Sequence, residues 1–249
     1  MSLVPITKEA FYDKRWAKHK NYWFAKHKAI AEVSLAELPK AAISYTTGFL
    51  KQGDMYMYVA LMGIEPAQNL YIDKNGNFLA NYIPAFIRIS PFALALASTG
   101  EKVICVDESI IYANDGEAFF EPDGSLSESL KKARDFLSAL DASISQTHKA
   151  INAIEHFGLI KPWDIQLTLK SGTKRIEGIY CIDETVLNAL DADALKSLRD
   201  AGALALAYCQ LISMQNIEIL AKLADYNEEQ NRDEFSRIKK DELDFSFLN

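Results

Sequence analysis

The hydrophobic pattern of this chain changes at Pro122-Asp123-Gly124, and this change constrains the fold more than any other feature of the sequence. Before it, short apolar runs are separated by turn signals such as KQGD at 51–54 and Asn75-Gly76, a pattern typical of β-hairpins. After it, apolar residues recur at spacings of three and four across 125–160, which predicts one long amphipathic helix. Strands therefore do not alternate regularly with helices, which favours an α+β fold over a doubly wound parallel sheet.

The individual segments describe this fold class in more detail. The predicted strands are 43–49, 55–63, 85–90, 92–98 and 102–107, followed by a second hairpin of 164–170 and 174–183. The predicted helices after the long one are 184–190, 193–200 and 203–226. We therefore expect a largely antiparallel sheet, built from the strand-rich first half and the later hairpin, with helices of the second half packed on it.

A short segment at 34–43 carries signals for the start of a helix. Ser34 is a suitable N-cap, and Glu37 stands three residues later, at the spacing of a capping box. Pro39 follows within the segment. Because proline removes a backbone donor and clashes with the preceding turn, we expect any helix here to be limited to a short turn.

Composition suggests three parts along the chain. Residues 1–30 form an arm in which lysines, arginine and histidines alternate with aromatic residues, 31–226 form a single α+β domain, and 227–249 form a charged tail. We expect the aromatic side chains of the arm to dock on the domain while its lysines stay in solvent. The alternative is that the arm binds nucleic acid or an anionic surface.

The overall charge disfavours nucleic acid and anionic membranes as general partners, because the formal net charge of the 249 residues is −7. No secretory signal is visible at the N-terminus, and the longest apolar runs, 91–98 and 201–213, are too short to span a bilayer. The three cysteines do not suggest a disulfide framework. The sequence therefore predicts a cytoplasmic protein without a transmembrane segment.

One motif occurs twice, as Cys105-Val106-Asp107-Glu108 and as Cys181-Ile182-Asp183-Glu184. In a strand, each cysteine shares a face with the aspartate two residues later, so the two copies could supply metal ligands or catalytic carboxylates if they met. Neither a Cys-x-x-Cys motif nor a nearby histidine accompanies them, and no metal is predicted. We interpret the copies as two similar strand endings, in which the Asp-Glu pair ends the strand. In the second copy, Asp183 or Thr185 is a suitable cap for the helix that begins near 184–186.

Arg88 lies within an otherwise apolar run and needs an anionic partner if it is buried. One interpretation is that it binds a carboxylate or phosphate ligand between the aromatic walls of Tyr82 and Phe86. The other is an internal ion pair with Asp107 or Glu108. The candidate ligand-binding residues are Tyr82, Arg88, Asp107 and Asp183, and no catalytic residue is assigned. No glycine-rich nucleotide loop or nucleophile elbow occurs, so no cofactor is predicted.

The order of these segments resembles the SapC family of bacterial proteins over about residues 18–225. The resemblance rests on His19 and on the runs LAELPKAAISYTTGF, NGNFLANYIPAFIRISPF, ICVDE, FFEPDGSLSESLKKARDFL, IYCIDETVLNAL and LISMQNIEILAKL. Members of the family often carry a second arginine and a tyrosine before the Pro-Phe pair, where this chain has Ile89 and Ser90.

The resemblance implies a non-enzymatic surface-layer-associated or accessory protein, and with it association with the cell surface. An alternative that it also implies is an accessory that binds a small molecule or peptide, with or without catalysis, in a tailoring pathway linked to flavin-dependent halogenase-like enzymes. The partner is thus an unidentified protein or small molecule, and a homo-oligomer is compatible with either role.

Overall fold

The computed structural model describes residues 2–97, 100–112 and 115–241, with side chains up to residue 230. The strands are β1 (Leu3–Pro5), β2 (Arg15–Trp16), β3 (Ile30–Glu32), β4 (Thr47–Gln52), β5 (Met55–Leu61), β6 (Phe92–Leu96), β7 (Lys102–Asp107), β8 (Ile111–Tyr112), β9 (Glu117–Ala118), β10 (Ile160–Pro162), β11 (Ile165–Leu169), β12 (Gly172–Ile176) and β13 (Ile179–Ile182). The α-helices are α1 (Lys8–Phe11), α2 (Leu38–Ser44), α3 (Ala85–Arg88), α4 (Glu128–His156), α5 (Glu184–Asn188), α6 (Ala192–Asp200), α7 (Ala203–Ser213) and α8 (Ile217–Asp241).

The largest sheet has five strands in the order β10-β13-β4-β5-β3, and every neighbouring pair is antiparallel. The helices α4 and α7 pack against this sheet, and α2 and α6 pack against α7. The main core lies between these layers and includes the fully buried side chains of Phe49, Tyr58, Ile151 and Leu206. The α+β class predicted from the sequence is therefore confirmed.

A smaller core lies beneath the first half of α4. It is covered by the sheet β1-β7-β6 and by the short sheet β8-β2-β9. Phe11 and Trp16 from the N-terminal segment pack there with Phe119, Leu130 and Leu137. One helix thus contributes to both cores, since Leu130 and Leu137 lie in the smaller one while Ile151 lies in the main one.

The structure corrects the predictions for two segments, 85–90 and 34–43. Residues 85–90 were predicted as a strand, but they begin with the helical turn α3, whose first N–H is bound by the Glu37 carboxylate. The segment at 34–43 was predicted to hold only a short turn, but a 3-10 turn at Leu35–Glu37 leads into α2. Pro39 lies in the first turn of α2, where the missing N–H has no intrahelical partner to lose. The capping box of Ser34 and Glu37 is formed as predicted.

The second predicted hairpin is also corrected, because 174–183 is not one strand. Gly178 has a φ of +80°, which breaks the run into β12 and β13. The strands β11 and β12 form a separate two-stranded hairpin, whereas β13 joins the five-stranded sheet beside β4. A left-handed conformation is accessible to glycine at little cost, so the break falls where the sequence permits it.

The three-part division of the chain stays a prediction. Residues 1–30 supply β1, β2 and the start of β3, and the side chains of Phe11 and Trp16 are buried. In the predicted tail, α8 continues as helix to Asp241, and Asn227 donates to the backbone oxygen of Leu70. Residues 242–249 lie outside the described residues.

One helical stretch of the described residues, Ala203–Gln230, is long and apolar enough to cross a membrane, with a mean hydropathy of 1.2. Leu206, Ala207 and Leu220 within it are fully buried, as they are in core helices of soluble proteins. A core helix passes the same test of length and composition, so the absence of a transmembrane segment stays a prediction from the sequence.

Candidate functional site

A cavity of about 910 Å³ lies between the N-terminal segment, the stretch around α3 and the first half of α4. Four cationic side chains line it, namely Lys18, Lys20, Arg88 and Lys132, together with the carboxylates of Glu117, Glu121 and Glu128. Of these, Lys132 pairs with Glu128 across one helical turn at 3.7 Å. The formal charges of the lining therefore sum to +1, with histidine neutral, in a chain whose net charge is −7.

Arg88 is the most specific feature of this cavity. Its guanidinium carbon lies 5.1 Å from the ring centre of Phe136 and 5.6 Å from that of Tyr82. The two cation–π contacts limit the orientations of the planar group, and the hydroxyl of Tyr82 also interacts with it. In the described part of the chain, the ion pairs with Asp107 or Glu108 that the sequence suggested as an alternative are absent.

A buried carboxylate holds α3 in place and so positions Arg88. One oxygen of Glu37 accepts hydrogen bonds from the Tyr82 hydroxyl at 2.8 Å and from the backbone N–H of Ala85 at 2.7 Å. Its other oxygen accepts from the backbone N–H and the hydroxyl of Ser34, at 3.0 and 2.8 Å. Burial and the neighbouring Glu37 raise the pKa of Tyr82, so this hydroxyl stays protonated as a donor.

Two buried nitrogen atoms in the cavity wall have no hydrogen-bond partner among the described residues: Nε1 of Trp16 and Nε2 of His19. The indole of Trp16 packs edge-on against Phe92, with ring centres 4.6 Å apart. The imidazole of His19 stacks on Phe24 at 4.3 Å. An unpaired buried polar group of this kind costs about 1–3 kcal/mol.

The aspartates of the repeated motif do not converge. Asp107 ends β7, and its buried carboxylate accepts from the backbone N–H and the hydroxyl of Ser109. Asp183 follows β13 in a different sheet and caps α5, with Lys161 at 3.3 Å. Burial acts most strongly on the pKa of Asp183 and would raise it, but the hydrogen bonds from Lys161 and the α5 backbone together lower it.

Each aspartate thus ends a strand and caps the following helical turn. The strand endings and a cap at the second copy were expected from the sequence, whereas no cap by Asp107 was predicted. Neither aspartate lines the cavity of Arg88. Among residues 2–97, 100–112 and 115–230, no group of three or more histidine, cysteine or acidic side chains is placed to hold a metal ion.

The four residues singled out in the sequence therefore have different positions. Arg88 lines the cavity, and Tyr82 supports it from behind through ring contact rather than from the cavity wall. Asp107 lines a neighbouring cavity of about 570 Å³, which shares His19 with the first, and Asp183 lies elsewhere.

Sequence reasoning missed Trp16, His19 and Phe136 as parts of the same site. The only signal for the first two was the dense mixture of aromatic and basic residues in the N-terminal segment. The position of Phe136 followed the apolar spacing of the long helix and looked like an ordinary core residue.

Folding lowers the pKa of His19, chiefly because burial disfavours the charged imidazole, while the negative charge of Asp107 opposes this. The unfolded chain therefore binds a proton at His19 more readily than the folded one. We expect the free energy of unfolding to decrease as the pH falls through about 6.5 and this contribution to level off below the folded-state pKa. Urea titrations between pH 5 and 8 check this: His19→Gln should reduce the slope of stability against pH. His156→Gln, which alters an exposed histidine on α4, is the matched control, and an unchanged slope in His19→Gln would contradict the expectation.

Comparison with known sequences supports the resemblance described above. The sequence model of the SapC family matches residues 6–220, which is most of the chain. Neither the curated proteins nor the solved structures include a match to this chain. The family match includes the Glu37 capping box, the stretch of Arg88 and both copies of the Cys-x-Asp-Glu motif. The chain belongs to the SapC family.

Proposed function

We propose that this chain is an accessory protein that binds an anionic small molecule in the cavity of Arg88. The observation that carries the proposal is the geometry of Arg88 itself. Its guanidinium contacts two aromatic rings at the wall of a 910 Å³ cavity, without the ion pairs to Asp107 or Glu108 among the described residues. A fixed guanidinium offers paired N–H donors that match a carboxylate or a phosphate.

The surroundings of Arg88 support an anionic rather than a cationic ligand. Lys18 and Lys20 line the same cavity. Both side chains are exposed, so they are free to move towards a bound anion. Glu117 and Glu121 line the same cavity and reduce its positive potential. We infer that the anion binds at Arg88, because a guanidinium offers paired donors to a carboxylate or phosphate.

The size of the cavity supports a small-molecule ligand. The cavity volume falls within the range of about 300–1,000 Å³ that is usual for small-molecule sites.

Binding of two simple anions, butanoate and inorganic phosphate, tests the proposal. We expect Arg88→Ala to weaken binding of whichever anion the wild-type protein binds by about 10- to 100-fold, because a hydrogen-bonded charge pair contributes about 1.5–3 kcal/mol. Arg88→Lys should give an intermediate affinity, since it keeps the charge and loses the paired donors. Isothermal titration calorimetry measures all three.

Arg134→Ala is the matched control, because Arg134 lies on α4 outside the cavity and pairs with Asp135. Its affinity should equal that of the wild type. Equal affinities of Arg88→Ala and wild type would refute the proposal, and so would failure of the wild type to bind phosphate or any straight-chain carboxylate from butanoate to decanoate.

The surface-layer role implied by the family resemblance is a second proposal. Ile43 on α2 and Ile212 on α7 are 72% and 53% exposed, and both are apolar side chains that a protein contact would cover. Native mass spectrometry of protein purified from its own host reports bound ligand and subunit number together. A stoichiometric small molecule supports the first proposal, whereas an oligomer or a bound protein without a ligand supports the second.

A further inference from the structure

We propose that the ligand is amphipathic, with its anionic group at Arg88 and an apolar chain or ring in an adjoining groove. This inference rests on the proposed function, because it takes the anion site as given. It adds the chemical class of the ligand, a monoanion that carries an extended hydrocarbon part.

The groove has a volume of about 280 Å³ and runs along α4 beside β6. Its lining is mostly apolar, and the residues that form its walls are Phe24, Phe86, Phe92, Leu137, Leu140 and Ile144. Two charged side chains, Lys28 and Asp141, also line it, and Asp141 already pairs with Lys102. The rest of the lining is suited to hydrocarbon.

The groove and the cavity adjoin each other. Five residues line both spaces: Phe24, Ile89, Ser90, Pro91 and Phe92. Ile89 follows Arg88 directly, so the shared wall begins at the anion site. One molecule can thus contact Arg88 with its polar end and reach the groove with its apolar end, because the two spaces share a wall.

The dimensions of the groove set the size of the apolar part. An apolar cavity of about 150 Å³ accepts benzene, so a groove of 280 Å³ accepts a larger ring system or an alkyl chain of several carbons. Burial of hydrocarbon in it would add affinity in proportion to the area removed from water. The ligand should therefore bind more tightly than a short anion of the same charge.

A series of straight-chain carboxylates from butanoate to decanoate, each below its micelle concentration, tests the inference on the full chain by calorimetry. We expect the Kd to fall by up to about fourfold for each methylene added until the groove is full, which is the change for a fully buried CH₂. Arg88→Ala should weaken every member of the series. 1-Decanol, which keeps the chain and lacks the charge, should bind much more weakly than decanoate.

Two variants test whether the gain in affinity with chain length arises in the groove. Ala93→Phe fills the groove from β6 and Ile144→Asn makes its wall on α4 polar, and both positions are only partly buried, which favours retention of the fold. In each, butanoate should bind as in wild type, whereas the gain with chain length should be lost. Leu96→Asn, at a residue that is 70% exposed and outside the groove, is the control and should behave as wild type.

The outcomes separate this inference from the proposed function. An affinity that depends on Arg88 but not on chain length overturns the inference and leaves the proposed function in place. If decanol binds as tightly as decanoate and Arg88→Ala does not change its affinity, the ligand does not need a negative charge. This result overturns both proposals. Failure of every carboxylate to bind the wild-type protein overturns the inference, and binding of phosphate alone would then retain the proposed function.

Discussion

Replacing Glu37 by alanine is expected to lower the free energy of unfolding by about 3–5 kcal/mol, the cost of removing one member of a buried charged network. Four donors converge on this carboxylate: the backbone N–H and hydroxyl of Ser34, the hydroxyl of Tyr82 and the backbone N–H of Ala85. Glu37 is 5% exposed, so water cannot replace it without entering the core. Urea titration followed by circular dichroism measures the loss as a lower midpoint at an unchanged m-value.

The variant Glu37→Gln removes the negative charge of this side chain and keeps nearly the same size and shape. Its amide keeps one acceptor oxygen, so one pair of donors retains a partner while the other pair faces an NH₂ group. We expect a loss between those of wild type and Glu37→Ala. Glu184→Ala, at an exposed position in the first turn of α5, is the control and should change the midpoint little. A loss in Glu37→Ala no larger than that in Glu184→Ala would show that the network does not stabilise the fold.

The same substitution connects stability with the binding site. The Glu37 carboxylate fixes the first N–H of α3, and Arg88 lies on that helical turn. It also orients the Tyr82 ring that supports the guanidinium. In Glu37→Gln, if folded at 25 °C, the affinity for butanoate should therefore be lower than in wild type although Glu37 does not line the cavity.

Much of the fold is encoded in local patterns. The apolar spacing over 125–160 predicted α4, and Ser34 with Glu37 predicted the capping box, because the interacting groups lie within one or two turns of each other. The turn at 51–54 predicted the hairpin of β4 and β5, and the structure pairs these two strands antiparallel. Such elements depend on sequence neighbours, so one sequence is enough to find them.

The incorrect predictions concern segments whose secondary structure depends on a residue distant in sequence or on the backbone conformation of a single residue. Residues 85–90 have the apolar character of a strand, but the first N–H of α3 is bound by Glu37, which lies 48 residues earlier. The run at 174–183 is apolar enough for one strand, but Gly178 turns the backbone between two different sheets. Neither effect leaves a periodic signal in the sequence.

The candidate site was predictable only in part, for the same reason. Arg88 was predicted as a candidate ligand-binding residue because a charge within an apolar run needs a partner. Its partners in space, Phe136 on α4 and the N-terminal Trp16 and His19, are far from it along the chain, and their proximity follows from how the N-terminal segment packs on the smaller core. Conversely, the repeated Cys-x-Asp-Glu motif was conspicuous in the sequence, yet its two copies have local capping roles in separate sheets.

At Gly116 the backbone passes close to the backbone of Trp16, which belongs to the N-terminal wall of the cavity. We expect a substitution of Gly116 to have a large effect on stability. Gly116 has a φ of +99°, and a Cβ atom added to it would lie 2.2 Å from the backbone oxygen of Trp16. We expect Gly116→Ala to lower the free energy of unfolding by about 2–5 kcal/mol, the sum of a left-handed backbone penalty and a steric clash. The clash displaces β2, and Trp16 on it lines the cavity. Affinity for butanoate should therefore fall together with stability.

Gly178→Ala is the matched control for the clash. Gly178 also has a positive φ, +80°, but no atom lies within 4 Å of a Cβ built there. It should show only the backbone penalty, about 1–2 kcal/mol, and leave butanoate binding unchanged. The difference between the two variants in urea titration measures the cost of moving the Trp16 strand. Equal losses would mean that β2 shifts freely. An unchanged affinity in a destabilised Gly116→Ala would mean that anion binding does not need the wall formed by Trp16, and would confine the site to α3 and α4.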